Sequence, residues 1–261
     1  MKRGSSKVII DVHAHLLTNP VDYQEVEQLL ETGANLGVTK FCVSSLGPGS
    51  YYPTVLNHEP THEECVSYNK EMARLSREYP GQIYAYCYLN ASYKEAVEEA
   101  QRCIEDCGMI GIKLWTGIVC SDKRINPLAE KAIALGVPIL QHTWDKVTGY
   151  FPNESRSTDI AALAARYPEL KIIMAHNERG ARIIAKYPNV YIDTASPIPN
   201  YGLIENAVDL LGPDRIVFGS DTVGVDLAGT LGKIIGADLK PEVREKILCG
   251  NAQRLFGGKL A

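Results

Sequence analysis

The sequence of 261 residues predicts an α/β fold, a (β/α)8 TIM barrel that forms a single domain over residues 1–261 and ends in extra C-terminal helices. Eight short apolar runs alternate with helical patterns, as in a parallel sheet that is buried on both faces. Most of these runs end roughly 30 residues apart, which is the length of a βαβ unit. The alternative, an open doubly wound sheet, normally has a glycine-rich turn after its first strand. Here that position reads His13-Ala14-His15.

The predicted strands are rich in β-branched residues, which favour extended backbone. The first strand is Val8-Ile9-Ile10, and the other seven are 38–43, 83–88, 109–114, 137–142, 170–176, 190–193 and 215–221. The predicted helices show apolar residues three and four positions apart. They cover 21–36, 63–79, 93–107, 125–135, 158–167, 180–186 and 203–211, and two C-terminal helices follow at 227–235 and 241–256.

A long polar stretch, 44–62, separates the second strand from the second helix. Loops of this length inside a compact domain are usually functional. We therefore expect Tyr51, Tyr52, His58 and His62 to form a lid, with Tyr51 and His58 against the substrate. For the tyrosines, packing of the loop on its own aromatic side chains is an equally good interpretation.

Composition limits the classes of partner. Residues are 45% hydrophobic and 22% charged, and the net charge of −4 gives no basic patch for nucleic acid or an anionic membrane. No apolar stretch reaches the roughly 20 residues of a membrane span. The 7 cysteines, an odd number, indicate reduced thiols in a cytoplasmic protein. We expect a small-molecule substrate as partner and leave a homo-oligomer open.

Polar side chains that can bind metals or substrates follow the predicted strands. Residues i and i+2 of a strand point to one face, so His13 and His15 present two imidazoles together. An isolated pair of this kind is more often two polar residues at a strand exit. Here, however, the carboxyl ends of the strands form one rim in a barrel, and seven such residues fall on it: His13, His15, Lys113, His142, His176, Asp193 and Asp221.

This order of motifs resembles the amidohydrolase superfamily of metal-dependent hydrolases, over essentially the whole chain. The stretches Gly111-Ile112-Lys113-Leu114, Met174-Ala175-His176-Asn177, 190–194 and 250–256 look most like its amidohydrolase-2 branch, which includes the aminocarboxymuconate-semialdehyde decarboxylase type. Two departures alter the rim. The Gly-Gly that often follows the sixth-strand His is replaced by 177–180, and the Pro that often follows the last Asp is absent from 221–224.

The predicted metal site follows from this pattern. His13, His15 and Asp221 are expected to hold one divalent metal, and the resemblance implies that His142 completes the set. Zinc is the first expectation, and manganese or iron also accept nitrogen and oxygen ligands. Asp221 is expected to take a proton from water and pass it to the leaving group. His176 is either a ligand of a second metal or a neutral hydrogen-bonding electrophile.

Lys113 leaves three alternatives open. In superfamily members with two metals, a strand-four Lys is carboxylated by CO₂ and bridges them, and Lys113 would complete such a set. Otherwise its cation binds a substrate carboxylate. The third alternative is a buried salt bridge with Asp193.

Further residues are predicted around the pocket. Trp115 and Trp144 follow Lys113 and His142 and could form its walls, although aromatic residues at strand exits are often simple packing. Asp193 is predicted to orient a ligand or the substrate, and Arg156 to bind an anion. The alternative for Asp193 is a capping role at the surface, and the alternative for Arg156 is an ordinary solvated loop residue.

Three functions follow from these expectations. The first is a metal-dependent hydrolase of an amide, ester or lactone bond in a small carboxylated molecule, with Asp221 as general base and Lys113 and His176 as further catalytic groups. The second is a nonoxidative decarboxylase with the same metal site. The third, from another class, is a barrel without catalysis that binds a ligand or metal.

Overall fold

The computed structural model describes residues 8–17, 19–47, 59–146, 149–198, 200–222 and 224–260. Its eight strands pair in parallel in the order of the chain. They are β1 Ile9–Leu16, β2 Val38–Ser45, β3 Ile83–Leu89, β4 Gly111–Leu114, β5 Ile139–Gln141, β6 Ile172–Met174, β7 Val190–Asp193 and β8 Ile216–Val217. All eight predicted strands are therefore present, although β5, β6 and β8 are shorter than predicted.

The sheet closes on itself between its first and last strands. The amide of Val12 in β1 donates to the carbonyl of Phe218, just after β8, over 2.9 Å. Further along, Ala14 pairs in parallel with Thr222. This closure confirms the predicted (β/α)8 barrel.

The helices alternate with the strands. They are α1 Tyr23–Leu36, α2 His62–Glu78, α3 Ala96–Glu105, α4 Asn126–Ala134, α5 Ser157–Arg166, α6 Ala181–Ile184, α7 Leu203–Leu211, α8 Leu227–Ile235, α9 Pro241–Glu245 and α10 Asn251–Phe256. The single helix predicted over 241–256 is instead interrupted by a π-helical turn at Lys246–Gly250. Of the described helices, none has the length and apolar character needed to cross a bilayer.

Two apolar layers hold the barrel together. One fills its interior with residues such as Ile10, Leu140 and Ile173, and the other lies between the sheet and the helices. At the amino ends of the strands, Phe256 of α10 packs edge-on against Tyr86 of β3, with ring centroids 6.1 Å apart. The C-terminal helix therefore closes this end, and the polar rim lies at the opposite one.

A β-bulge in β1 sets the direction of the two histidines. The register with β2 shifts between Asp11 and Ala14. Before the bulge, Ile10 packs in the barrel interior, whereas after it Ala14 packs outside, against the helices. Bulges redirect side chains next to functional sites. This bulge turns His13 and His15 toward the interior. Both histidines lie within β1, whereas the sequence predicted them directly after the strand.

Candidate metal centre and pocket

His13, His15 and Asp221 form one buried group at the rim. Their ligand atoms all lie within 4.8 Å of one another. Nε2 of His13 is 3.0 Å from Nε2 of His15. Oδ1 of Asp221 lies 3.1 Å from Nε2 of His15 and 3.4 Å from Nε2 of His13. The predicted first three ligands are thus brought together.

Hydrogen bonds on the outer side of the two rings place their protons. Nδ1 of His13 donates to Oδ2 of Asp193 over 2.8 Å, and Nδ1 of His15 lies 2.9 Å from the hydroxyl and 3.2 Å from the backbone carbonyl of Ser44. A carboxylate only accepts, which assigns the His13 proton to Nδ1. Nε2 of His13 therefore presents a lone pair to the shared centre, and the Ser44 carbonyl behind His15 suits the same orientation, the usual arrangement behind metal-binding histidines. The sequence predicted Asp193 as an orienting residue and missed Ser44, whose signal was its position at the end of β2.

The charges of this group are set by burial and by each other. Burial lowers the pKa of His15 to about 4, so the imidazole is neutral. Burial alone would raise the pKa of Asp221, but the neighbouring His13 and His15 outweigh it and hold that pKa far below its usual range. The centre thus contains the neutral imidazole of His15 and the ionised carboxylate of Asp221.

Lys113 lies at the end of β4, directly beside the centre. Its Nζ is 2.8 Å from Nε2 of His13, and the side chain is buried. Burial lowers its pKa to about 8, although Asp221 and Asp193 oppose this shift. Among the described residues, the ion pairs do not include Lys113 with Asp193. The amine titrates near neutral pH, which suits both the carboxylated lysine and the cation for a substrate carboxylate, and the role of Lys113 stays a prediction.

His142 and His176 form a second pair of imidazoles next to the first. Nε2 of His176 lies 3.0 Å from Nδ1 of His142, and the rings of His176 and His13 stack with centroids 5.8 Å apart. Nδ1 of His176 is buried and has no hydrogen-bond partner among the described residues. His142 is not part of the three-residue group, so its role as a ligand stays a prediction.

Glu154 is a partner of this pair that the sequence analysis missed. Its Oε1 lies 2.8 Å from Nε2 of His142. The residue lies in the loop after β5, where a polar sequence usually indicates a solvated segment, yet only 6% of it is exposed. Nothing in the local sequence distinguishes it from a surface glutamate.

The backbone at two of these residues is unusual. His176 has φ 37° and Asp221 has φ 58°, in the left-handed region that favours glycine. The loop before Asp221 is held by Asp11, whose carboxylate accepts from the amides of His13 and Ser220, both over 3.0 Å. Asp11 thus supports the two segments that carry the ligands.

A cavity of about 260 Å³ opens over the centre. Its floor contains Lys113 and Asp221, and its walls are largely apolar. The lining residues are His15, Leu46, Lys113, Trp115, His142, Trp144, Phe151, His176, Pro197, Asp221, Gly224 and Val225. The volume is below that of a typical drug-sized site and suits a small molecule.

The other predicted pocket and lid residues lie away from the cavity or outside the described residues. Arg156 is exposed, does not line the cavity, and stacks on the ring of Tyr150 at 3.9 Å. Its anion-binding role stays a prediction without support from this geometry. Tyr51, Tyr52 and His58 lie outside the described residues. His62 begins α2 and lies near the ring of Tyr93, at 6.5 Å between centroids.

The donor set fits a divalent metal ion. Two imidazole nitrogens with lone pairs and one ionised carboxylate converge, and the unpartnered Nδ1 of His176 lies in the same buried site. Zinc, iron and manganese all accept nitrogen and oxygen ligands. Of these, the residues do not select zinc, so the metal's identity stays a prediction.

Comparisons with known proteins agree with this geometry. A family model described as Amidohydrolase matches residues 10–258. A putative amidohydrolase from Staphylococcus aureus is 16% identical with a TM-score of 0.76, over 96% of this chain and 99% of that one. The 5-carboxyvanillate decarboxylase of Sphingomonas paucimobilis is 16% identical with a TM-score of 0.75, over 96% and 99%. A dihydroxybenzoic acid decarboxylase from Polaromonas, solved with manganese and the inhibitor 2-nitroresorcinol, is 18% identical with a TM-score of 0.75, over 96% and 97%.

Proposed function

The chain belongs to the amidohydrolase family, and on this premise we propose that it is a metal-dependent enzyme that removes the carboxyl group of a small aromatic acid without oxidation. The observation that carries the proposal is the largely apolar cavity with aromatic walls above Lys113 and the His13–His15–Asp221 group. The names of the similar solved structures support the same reaction, since several are decarboxylases of aromatic acids.

The walls suit a planar ring. Trp115 and Phe151 meet edge to face, with centroids 6.2 Å apart, and the ring of Trp144 lies 4.9 Å from that of His176. Aromatic walls bind planar aromatic ligands through offset or edge-on contacts. The protonated Lys113 supplies the charge that pairs with a carboxylate.

The reaction itself is favoured by low polarity. The bond between the ring carbon and the carboxylate breaks, its electrons remain on the ring carbon, CO₂ leaves, and a proton takes its place. A charged carboxylate becomes a neutral gas, so apolar walls disfavour the reactant more than the product. The ionised Asp221 and the neutral His176 line the cavity, and they are the two candidates for the group that relays a proton from water to the ring carbon.

A divalent metal would be held by His13, His15 and Asp221, and we propose His142 as a further ligand. When bound, such an ion supplies Lewis acidity and fixes the position of substrate oxygen atoms. Manganese is the probe that we choose, because two of the similar structures carry it.

Hydrolysis of an amide, ester or lactone is the second candidate. One observation favours it: Asp221 is held ionised by the adjacent histidines, as suits a base that accepts a proton from water. The apolar cavity walls favour the loss of a charged carboxylate, and they give hydrolysis no comparable advantage.

The test separates the two reactions. The protein, loaded with Mn²⁺, is incubated in D₂O with a panel of hydroxylated benzoic acids and, separately, with amides, esters and lactones. Release of CO₂ with one deuterium on the product ring supports decarboxylation. Cleavage without CO₂ supports hydrolysis. The proposal of an enzyme is overturned if turnover with either panel is the same in the wild type and in His13→Ala.

A further inference from the structure

The loop after β5 folds back onto His142, the residue at which it begins. Over twelve residues it leads from His142 to Glu154, whose Oε1 accepts from Nε2 of His142 over 2.8 Å. The side-chain atoms of Glu154 are fully buried. A buried carboxylate is costly unless it is paired and hydrogen-bonded, so this position has a role that a solvated loop residue lacks.

Three neighbours satisfy the carboxylate. Nζ of Lys146 lies 2.9 Å from both oxygens, and the amide of Phe151 donates to Oε2 over 3.2 Å. With His142, these contacts stabilise the ionised form. Because Lys146 balances the charge, His142 does not need to be cationic to be a good partner.

An ionised carboxylate can only accept, so the His142 proton is placed on Nε2. Nδ1 of His142 then carries a lone pair, and it points to Nε2 of His176, 3.0 Å away. Asp193 likewise accepts a hydrogen bond from the outer nitrogen of His13, Nδ1. Two carboxylates therefore stand behind two imidazoles and hold the protons on the sides away from their inward nitrogens.

We propose that Glu154 is a positioning residue that fixes the Nε2–H tautomer of His142 and thereby presents the Nδ1 lone pair to the metal centre. The inference rests on the proposed metal-dependent function in one respect only: that function supplies the metal ion that the Nδ1 lone pair would bind. The tautomer itself is a property of the metal-free protein.

Glu154 also connects this histidine to the cavity wall. It holds Lys146, whose Nζ lies 5.0 Å from the ring centroid of Trp144 and 4.4 Å from that of Phe151. Both rings line the cavity. A single buried carboxylate thus orders a predicted ligand and two wall residues together.

The experiment measures the tautomer directly. The metal-free protein is labelled with ¹⁵N-histidine, and two-bond ¹H–¹⁵N correlations identify the protonated nitrogen of each ring. His142→Asn assigns the His142 signals. The wild type is expected to show the Nε2–H form. Glu154→Gln keeps it, since the amide oxygen still accepts. Glu154→Ala loses the preference for it.

A matched control removes another buried carboxylate at the rim. Glu178 is 1% exposed and pairs with Lys233, so Glu178→Ala is expected to leave the His142 signals unchanged. If Glu154→Ala does not fold, the double variant Glu154→Leu with Lys146→Met removes both charges and keeps the volume. An Nδ1–H form of His142 in the wild type, or an unchanged tautomer once Glu154 is removed, overturns the inference.

A Mn²⁺ titration of the same proteins separates this inference from the proposed function. Loss of the outer partner of a metal-binding histidine typically lowers metal affinity by roughly 10–100-fold, the effect expected for Glu154→Ala. A wild type with the Nε2–H form of His142 that binds no Mn²⁺ contradicts the metal-dependent function and leaves the tautomer assignment intact. Mn²⁺ binding by a wild type whose metal-free form has the proton on Nδ1 of His142 contradicts the tautomer assignment and leaves the metal-dependent function intact.

Discussion

Asp193, at the end of β7, accepts a hydrogen bond from Nδ1 of His13 in β1 over 2.8 Å. Its other oxygen, Oδ1, accepts from the amides of His176 and Ala195, over 2.6 Å and 3.1 Å. One buried carboxylate therefore sets the proton of a predicted ligand and holds the backbone of a second histidine. A hydrogen bond that the outer nitrogen of a histidine donates to a buried carboxylate thus controls which nitrogen faces the centre with a lone pair.

Asp193→Asn is expected to reverse the tautomer of His13. The two backbone amides keep the side-chain oxygen, so the new NH₂ group faces Nδ1 and forces the proton to Nε2, toward the centre. Mn²⁺ affinity should fall roughly 10–100-fold, as measured by calorimetric titration. The exposed Asp209 on α7 gives the control Asp209→Asn. Equal affinity in Asp193→Asn and wild type would contradict this role.

Lys113 is expected to make substrate binding depend on pH. Its amine is charged below the pKa of about 8, so the attraction for a substrate carboxylate is present below that pH and is lost as pH rises through it. KM should rise above that value. Lys113→Met removes a charged hydrogen bond worth roughly 1.5–3 kcal/mol, which raises KM about 10–100-fold at neutral pH and abolishes the pH dependence.

The exposed Lys123 provides the matched control, Lys123→Met. If Lys113→Met instead leaves KM unchanged and reduces the bound metal from two equivalents to one, the carboxylated bridge is the better account of this lysine.

Asp11 is expected to control stability through hydrogen bonds. Asp11→Ala removes the acceptor of the His13 amide and leaves the Ser220 amide only its 3.3 Å bond to the carbonyl of His13, and an unsatisfied buried amide costs about 1–3 kcal/mol. Asp11→Asn keeps an acceptor and should cost less. Urea unfolding of the metal-free proteins measures both, and equal stability of the two variants would contradict the argument.

The same residue predicts a pH dependence. Burial raises the pKa of Asp11 from 3.8 to about 7. A folded-state pKa above the unfolded value gives stability that is fully present below the unfolded pKa and is lost as pH rises through the folded one. Relative to Asp11→Asn, the wild type should therefore lose stability between roughly pH 4 and pH 7. A constant difference across this range would argue against a protonated Asp11.

His176 is expected to act on the substrate without holding the metal. Burial and the neighbouring His142 keep its pKa well below the usual range, so the ring is neutral, and its Nδ1 has no partner in the part of the chain that the structure describes. His176→Gln should keep one equivalent of Mn²⁺ and lower kcat by roughly 10²–10⁴-fold, the range of a proton-transfer or hydrogen-bonding group.

Two metal equivalents in the wild type and one in His176→Gln would make His176 a ligand of a second metal instead.

The barrel was predictable because its physical cause is local. Each buried parallel strand is a continuous apolar run, and the order of strands and helices alone limits the topology. Strand ends were less predictable: β8 is only Ile216–Val217, since the backbone of the following residues turns into the rim. The bulge between Asp11 and Ala14 left no periodic signal either, because it arises from pairing with β2 and with the segment after β8.

The site was predictable to the same extent. His13, His15 and Asp221 follow from strand-end positions, which the sequence order reveals. Ser44 and Glu154 do not, because their importance comes from where a neighbouring strand and a folded loop place them. A glutamate in a polar loop is usually solvated, and only the tertiary contact with His142 distinguishes this one.

The central claim is that the lone pairs of His13 and His15 and the carboxylate of Asp221 converge on one divalent metal. A crystal structure of the protein soaked with Mn²⁺, with anomalous diffraction data, tests it most directly. We predict one anomalous peak at bonding distance from Nε2 of His13, Nε2 of His15 and a carboxylate oxygen of Asp221. A fully soaked crystal without a peak at these atoms, or with one elsewhere, would contradict the account.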